Sequence, residues 1–115
     1  MLNFKNIKIK EAKSFKDRLF GLMFKKDINY GLLFKNCRSI HTFFMKEQID
    51  VIATDKNDII LNIYKNVKPC RIIIAPKNTK NIYELPKNTI YLSYFLLLSF
   101  SFYIVSFFTT FSTGN

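Results

Sequence analysis

Ile49-Asp-Val-Ile-Ala-Thr54, Asp55-Lys-Asn-Asp58 and Ile59-Ile-Leu-Asn-Ile-Tyr64, read in succession, decide the fold. The outer segments are rich in β-branched residues, which fit a pleated and half-buried surface. The segment between them is Asp/Asn chemistry, whose side chains bond their own backbone and turn the chain. Together they predict a β-hairpin over Ile49 to Tyr64.

The same signals recur outward in both directions. Leu32 to Lys35, Ser39 to Met45, Arg71 to Ala75 and Ile82 to Leu85 read as further short strands, with Pro69 and Pro76 bracketing the third and Pro86 stopping the last. Leu2, Phe4, Ile7 and Ile9 alternate with polar residues apart from one phase slip, which predicts a half-buried strand with a bulge or bend. Ser14 followed by Asp17 resembles a capping box. Phe15, Leu19 and Leu22 recur at helical spacing before Lys25-Lys26, so a helix of about two turns is expected there, with Gly21 near its end. Many short strands and one small helix predict a mainly β fold, an antiparallel β-sandwich or curled barrel.

From Tyr91 the chain reads YLSYFLLLSFSFYIVSFFTTF to Phe111, without a charge. At about 1.5 Å per residue a helix of that length covers roughly 30 Å, the thickness of a bilayer's hydrocarbon core. The expected organisation is a basic β domain over residues 1–89, a transmembrane helix over 90–111 and a short tail over 112–115. Lys80 and Lys87 flank the near end of the span and no charge follows it, so the positive-inside rule places the domain on the cytoplasmic face of a single-pass membrane protein. The tail's composition also matches an out-of-frame reading of AT-rich DNA, which makes a frameshift near Ile90 the alternative.

Lys and Arg outnumber Asp and Glu by 18 to 8, a formal charge of +10. Such a surface attracts polyanions without choosing between them. Beside a membrane helix, anionic lipid is the expected partner and nucleic acid the lesser alternative. Lys5, Lys8 and Lys10 interrupt the N-terminus, which therefore lacks the apolar core of a secretory signal. Cys37 and Cys70 form no C-x-x-C pair, and a cytosolic setting keeps both reduced.

Few residues point to chemistry. Cys37, His41 and Met45 recur at every fourth position, but on a strand such residues stand about 13 Å apart, too far to share an ion without a fold-back. No metal or cofactor is therefore expected, and no glycine-rich phosphate loop can be assembled. His41 reads as a hydrogen-bonded residue at a sheet edge or core margin, with a proton-transfer or ligand role as the alternative. Arg18 and Asp50 sit among apolar neighbours and should pair with each other or cap backbone groups. Glu84, between Tyr83 and Leu85, raises the same question with less force.

Taken in order, A-x5-R-x2-GLMF from Ala12 to Phe24, G-x-LF from Gly31 to Phe34, SIHTFFM from Ser39 to Met45, IDVI from Ile49 to Ile52 and YEL from Tyr83 to Leu85 resemble domain of unknown function 192, also called uncharacterised protein family 0127. The resemblance runs from about Ala12 to Thr89. It implies a compact, mainly β domain of sandwich or jelly-roll type with no assigned activity, and it transfers no functional residues. Arg18, His41, Met45 and Asp50 fall on its motif positions and make up the candidate pocket. After Pro86 the family continues with a glycine, a short helix and a last strand, where this chain has its hydrophobic tail. The leading expectation is a membrane-tethered accessory or ligand-binding domain without catalysis. A small hydrolytic or proton-transfer enzyme is the alternative, and it requires Arg18, His41 and Asp50 to converge in one pocket.

Overall fold

A computed structural model describes residues 1–4 and 6–90 of the chain. Its elements run β1 (Lys8–Glu11), α1 (Phe15–Phe20), β2 (Tyr30–Lys35), β3 (Ser39–His41), β4 (Ile49–Thr54), β5 (Ile60–Val67), β6 (Ile72–Ile74) and β7 (Asn81–Pro86). Five of them form one sheet in the order β1-β2-β7-β4-β5, while β3 and β6 form a separate two-stranded ribbon.

The predicted hairpin is β4–β5. Asp55 Oδ1 accepts the backbone N–H groups of Asn57 and Ile59 at 2.8 and 3.0 Å, closing the turn. The predicted helix is present in α1: Ser14 Oγ caps the Asp17 N–H at 3.0 Å, and Gly21 ends it at φ 51°. Its apolar spacing misleads, however. No residue of α1 is buried, and the segment meets the core through Leu22, just beyond the helix.

Three expectations are corrected. The fold is mainly β with one short helix, but not wholly antiparallel, because β1 runs parallel to β2 with α1 as the crossover that such a pair requires. The first strand begins at Lys8 rather than Leu2: Phe4 and Ile7 form only an isolated bridge around Asn6, at φ 65°. The strand expected over Ser39 to Met45 stops at His41, and the chain turns so that the Met45 N–H reaches the Thr42 carbonyl at 3.3 Å. No helix among the described residues is long and apolar enough to cross a membrane; the Tyr91 to Phe111 segment lies outside them.

Strand parity divides the core in two. Leu32, Phe34, Ile49, Val51, Ala53 and Ile82 face one side, where Leu22, Met45 and Ile73 cover them. Leu33, Ile52, Tyr83 and Leu85 face the other and meet Phe4 and Ile90. Both faces are covered, so every residue of β4 is buried. Each large apolar side chain withdrawn from water in this way contributes about 1.5–3 kcal/mol before entropy is counted. β7 lies at the centre of the sheet, between β2 and β4, and whatever it carries is buried on one face or the other.

Candidate functional site

Parity along β7 places one carboxyl group in the core. Glu84 is the register partner of Leu32 and Val51 and therefore shares their face, alongside Ile82. It is 5% exposed. Burial pushes its carboxyl up to about 8, against the pull of the Leu22 N–H hydrogen-bonded to it. Among the described residues the ion pairs are those of the N-terminus with Asp58 and of Lys35 with Glu11, so Glu84 has no cation.

Above Glu84 lies a cavity of about 110 Å³ between α1 and β3. Arg18, Cys37, His41, Met45 and Glu84 supply its functional groups. Gly21 shapes it: a Cβ built there would meet Glu84 Oε1 at 3.2 Å and the Phe34 ring at 3.4 Å, in a backbone conformation that side chains rarely adopt. Glycine thus leaves the carboxyl oxygen open. On the other side of α1 a wider groove of about 480 Å³ runs over Lys10, Glu11 and Tyr30, without a buried unpaired group at its base.

The remaining side chains are held as follows. Arg18 is exposed, donates to the Lys35 carbonyl at 3.0 Å and lies over the Phe34 ring at 6.0 Å. His41 stacks on Phe43 with centroids 5.0 Å apart, and its Nδ1 accepts the Phe43 N–H at 3.2 Å. That fits the hydrogen-bonded edge residue expected from the sequence. The Cys37 thiol donates to the Ser39 carbonyl at 3.2 Å; burial raises its pKa beyond what that hydrogen bond and nearby Arg18 can offset, so it is no activated nucleophile. Cys37 and Cys70 are both free thiols.

Arg18, His41 and Met45 therefore share one cavity, but Asp50 does not join them. Asp50 pairs with Leu85 in the register, so its side chain takes the opposite face from Glu84. There it is fully buried and accepts the N–H groups of Asn66 at 2.9 Å and Ile90 at 3.1 Å. Asn66 belongs to a bulge, where β5 carries an extra residue between the pairs Ile49–Val67 and Val51–Tyr64. Asp50 satisfies the backbone group that the bulge leaves unpaired. The convergence that an Arg18, His41 and Asp50 enzyme site requires is absent, and Arg18 and Asp50 cap backbone groups rather than each other. The fold-back needed to gather Cys37, His41 and Met45 does exist, since the turn after His41 returns Met45 to the cavity. No group of three His, Cys, Asp or Glu suited to a metal ion is present among the described residues.

The DUF192 profile, described as "Uncharacterized ACR, COG1430", matches residues 2–92. The chain belongs to this family. A UPF0127 protein of Pyrococcus horikoshii is 40% identical to it over 85 residues, 69% of this chain and 72% of that one. A UPF0127 protein of Thermococcus sibiricus is 34% identical over 89 residues, 72% of this chain and 57% of that one. The crystal structure of a protein of unknown function from Novosphingobium aromaticivorans superposes with a TM-score of 0.63 at 18% identity, covering 71% of this chain and 64% of that one. The DUF192 motif pieces RLFGLMF, GLLF, SIHTFFM and YEL contribute Arg18, Gly21, Phe34, His41, Met45 and Glu84 to the walls and floor of the one cavity. Sequence reasoning gave Glu84 too little weight. Its signal was a lone acid in phase with Ile82 on a strand that is apolar on both faces.

Proposed function

We propose that this DUF192 domain is a ligand-binding module, held at the cytoplasmic face of a membrane, that takes a small molecule into the cavity over Glu84. The observation that carries the reading is a buried carboxyl group with no cation among the described residues, at the base of an open cavity whose roof is a glycine. A buried ionisable group normally finds a partner within the fold. One left without a counter-ion and lining a cavity is a candidate binding site. Catalysis is not part of this reading, because the cysteine is unactivated and Asp50 lies across the sheet.

Membrane attachment rests on the uncharged Tyr91 to Phe111 sequence, the net charge of +10 and a set of exposed apolar side chains. Leu19, Phe20, Phe24, Phe44, Ile72 and Ile74 are exposed, Leu19 and Phe20 at the cavity itself, and Phe24 and Phe44 stack at 5.6 Å. Exposed aromatic and aliphatic side chains among lysines suit the interface of an anionic bilayer.

Binding is tested by titrating the isotope-labelled full chain with small alcohols, amines and carboxylates of about five heavy atoms. Shifts confined to the Gly21 and Leu22 amides and the His41 ring support the reading; silence at these positions up to tens of millimolar defeats it. Attachment is tested by washing membranes from expressing cells with high salt and then alkaline carbonate. Retention of the full chain, with release of a chain ending at Ile90, supports a C-terminal anchor, and release of both refutes it.

A further inference from the structure

The cavity's chemistry narrows its ligand, given the ligand-binding reading above. We propose that it takes a small primary ammonium compound, whose charged end rests on the Glu84 carboxylate and whose apolar body lies against Phe34 and Met45.

Three observations carry this. Among the described residues Glu84, 5% exposed, forms no ion pair and receives one backbone hydrogen bond, from Leu22, so the carboxyl keeps acceptor capacity on the cavity that it lines. An ammonium group brings three donors and, once the carboxyl gives up its proton, the countercharge. The space is about 110 Å³, somewhat less than the ~150 Å³ enclosed cavity that holds a benzene molecule, so the part of a ligand that enters it is limited to about five heavy atoms. The flanking surface at Leu22, Phe34 and Met45 is apolar, and a short alkyl chain desolvates it.

The alternatives fit less well. A hard metal cation needs several oxygen ligands, and the cavity has one carboxyl group. A carboxylate ligand would face Glu84 directly. A compound with two positive charges would meet Arg18, which stands exposed on the same cavity with its guanidinium on the Lys35 carbonyl.

Binding is coupled to a proton. In the empty cavity the Glu84 carboxyl holds its proton at neutral pH, because burial raises its pKa to about 8. The ammonium displaces it: the acid loses its proton to solvent, and the carboxylate remains paired with the bound cation. The other titratable groups facing Glu84 are Arg18 from α1, Cys37 from the connection after β2 and His41 from β3; β2 and β4 present only apolar side chains there. Below pH 8 the affinity should rise about tenfold per pH unit, then level, and decline once the ligand's own ammonium loses its proton near the ~10.4 of a lysine side chain.

The experiment uses the full chain with n-butylammonium, n-butanol and butyrate as probes, read by calorimetry and by the Gly21 and Leu22 amide signals. The expected result is millimolar or tighter binding of n-butylammonium alone. About one proton should be released per ligand at pH 7, seen as heat that varies with the buffer's ionisation enthalpy. Affinity should gain about tenfold between pH 6 and 7 and be flat between about 8.5 and 9.5, where n-butylammonium is still charged, with the same pH dependence in Cys37→Ser and His41→Gln. Glu84→Gln should lose at least tenfold. Equal affinity at pH 6 and 9 in the unmodified chain would overturn the proposal whether or not Glu84→Gln folds, as would a profile that moves with Cys37 or His41. Shifts caused by butanol or butyrate but not by n-butylammonium would overturn the ammonium and leave the ligand-binding reading standing. Silence from all three would bring down both.

Discussion

The two faces of the central sheet each bury a carboxyl group, and they treat it differently. On one face Asp50 accepts two backbone N–H groups, from the β5 bulge and from Ile90, and closes the structure there. On the other, Glu84 receives the Leu22 N–H, has no cation and sits under a cavity. The first carboxylate completes the fold. The second costs the fold stability, and a group kept at such a cost is where a ligand is to be sought. Burial alone does not mark a functional residue; what matters is whether the structure already satisfies the buried group.

The comparison is tested hardest at Asp50. Asp50→Ala removes the acceptor of two donors, of which the Ile90 N–H is fully buried, and leaves a void in a closed core. A loss of about 3–5 kcal/mol in urea unfolding is expected. Hydrogen exchange at Asn66 and Ile90 should accelerate in particular. A loss below about 1 kcal/mol would mean that this face is closed by its apolar residues alone.

Glu84→Gln should act in the opposite direction. An acid whose folded pKa is about 8 against 4.5 when exposed binds its proton more tightly in the folded state. Its contribution to stability is therefore complete below about pH 4.5 and is lost progressively as pH rises to about 8. The unmodified chain should lose about 3 kcal/mol between pH 5 and 8 through this group, and Glu84→Gln should flatten that decline. Asp58 does not confuse the measurement. Burial pushes it up, but the N-terminal ammonium, Thr54 and Tyr83 together bring it below its usual 3.8, so its contribution is lost only as pH falls through that acidic range. A pH profile unchanged by Glu84→Gln would remove the contrast between the faces.

Gly21→Ala probes the same face from above. The added Cβ would approach Glu84 Oε1 at 3.2 Å with φ at +51°, so the expected loss is about 1–3 kcal/mol, together with a smaller cavity and weaker ligand shifts. Full stability with an unaltered cavity would show that the backbone relaxes there and that glycine is not what keeps the carboxyl accessible.

Much of this arrangement could be read from the chain. The β4–β5 hairpin follows from Asp55 and Asp58 between Ile-rich runs, and α1 follows from Ser14 and Asp17, because turns and caps are local chemistry. The parallel β1–β2 pair escaped because a six-residue helix joining short strands lacks the long alternating pattern by which parallel units are recognised. The site was legible only in part. Arg18, His41 and Met45 were placed together on motif positions, but dividing Asp50 from Glu84 requires the register that gives Val51 to Glu84 and Leu85 to Asp50. A shift of one residue would exchange the two carboxyl groups between faces. Register is a tertiary fact, fixed by the partner strands.

The smallest expected effect lies at Tyr83, beside Glu84 on β7 but pointing to the Asp50 face. Its hydroxyl accepts the Leu2 N–H at 3.0 Å and donates to Asp58, whose two oxygens are both 3.0 Å away, while the ring meets Phe4 edge-on. Burial and the Asp58 carboxylate push the phenol up to about 12, only partly offset by the Leu2 N–H. Tyr83→Phe keeps the ring and its apolar burial, so only the hydrogen bonds are lost. The expected cost is about 1 kcal/mol at pH 7, and in an ultraviolet titration the latest tyrosine to ionise should disappear. A cost several times larger would mean that this face depends on its polar network as much as on packing. Asp50 would then be one member of a connected set, and the contrast with Glu84 would lie between a cooperative network and an isolated acid.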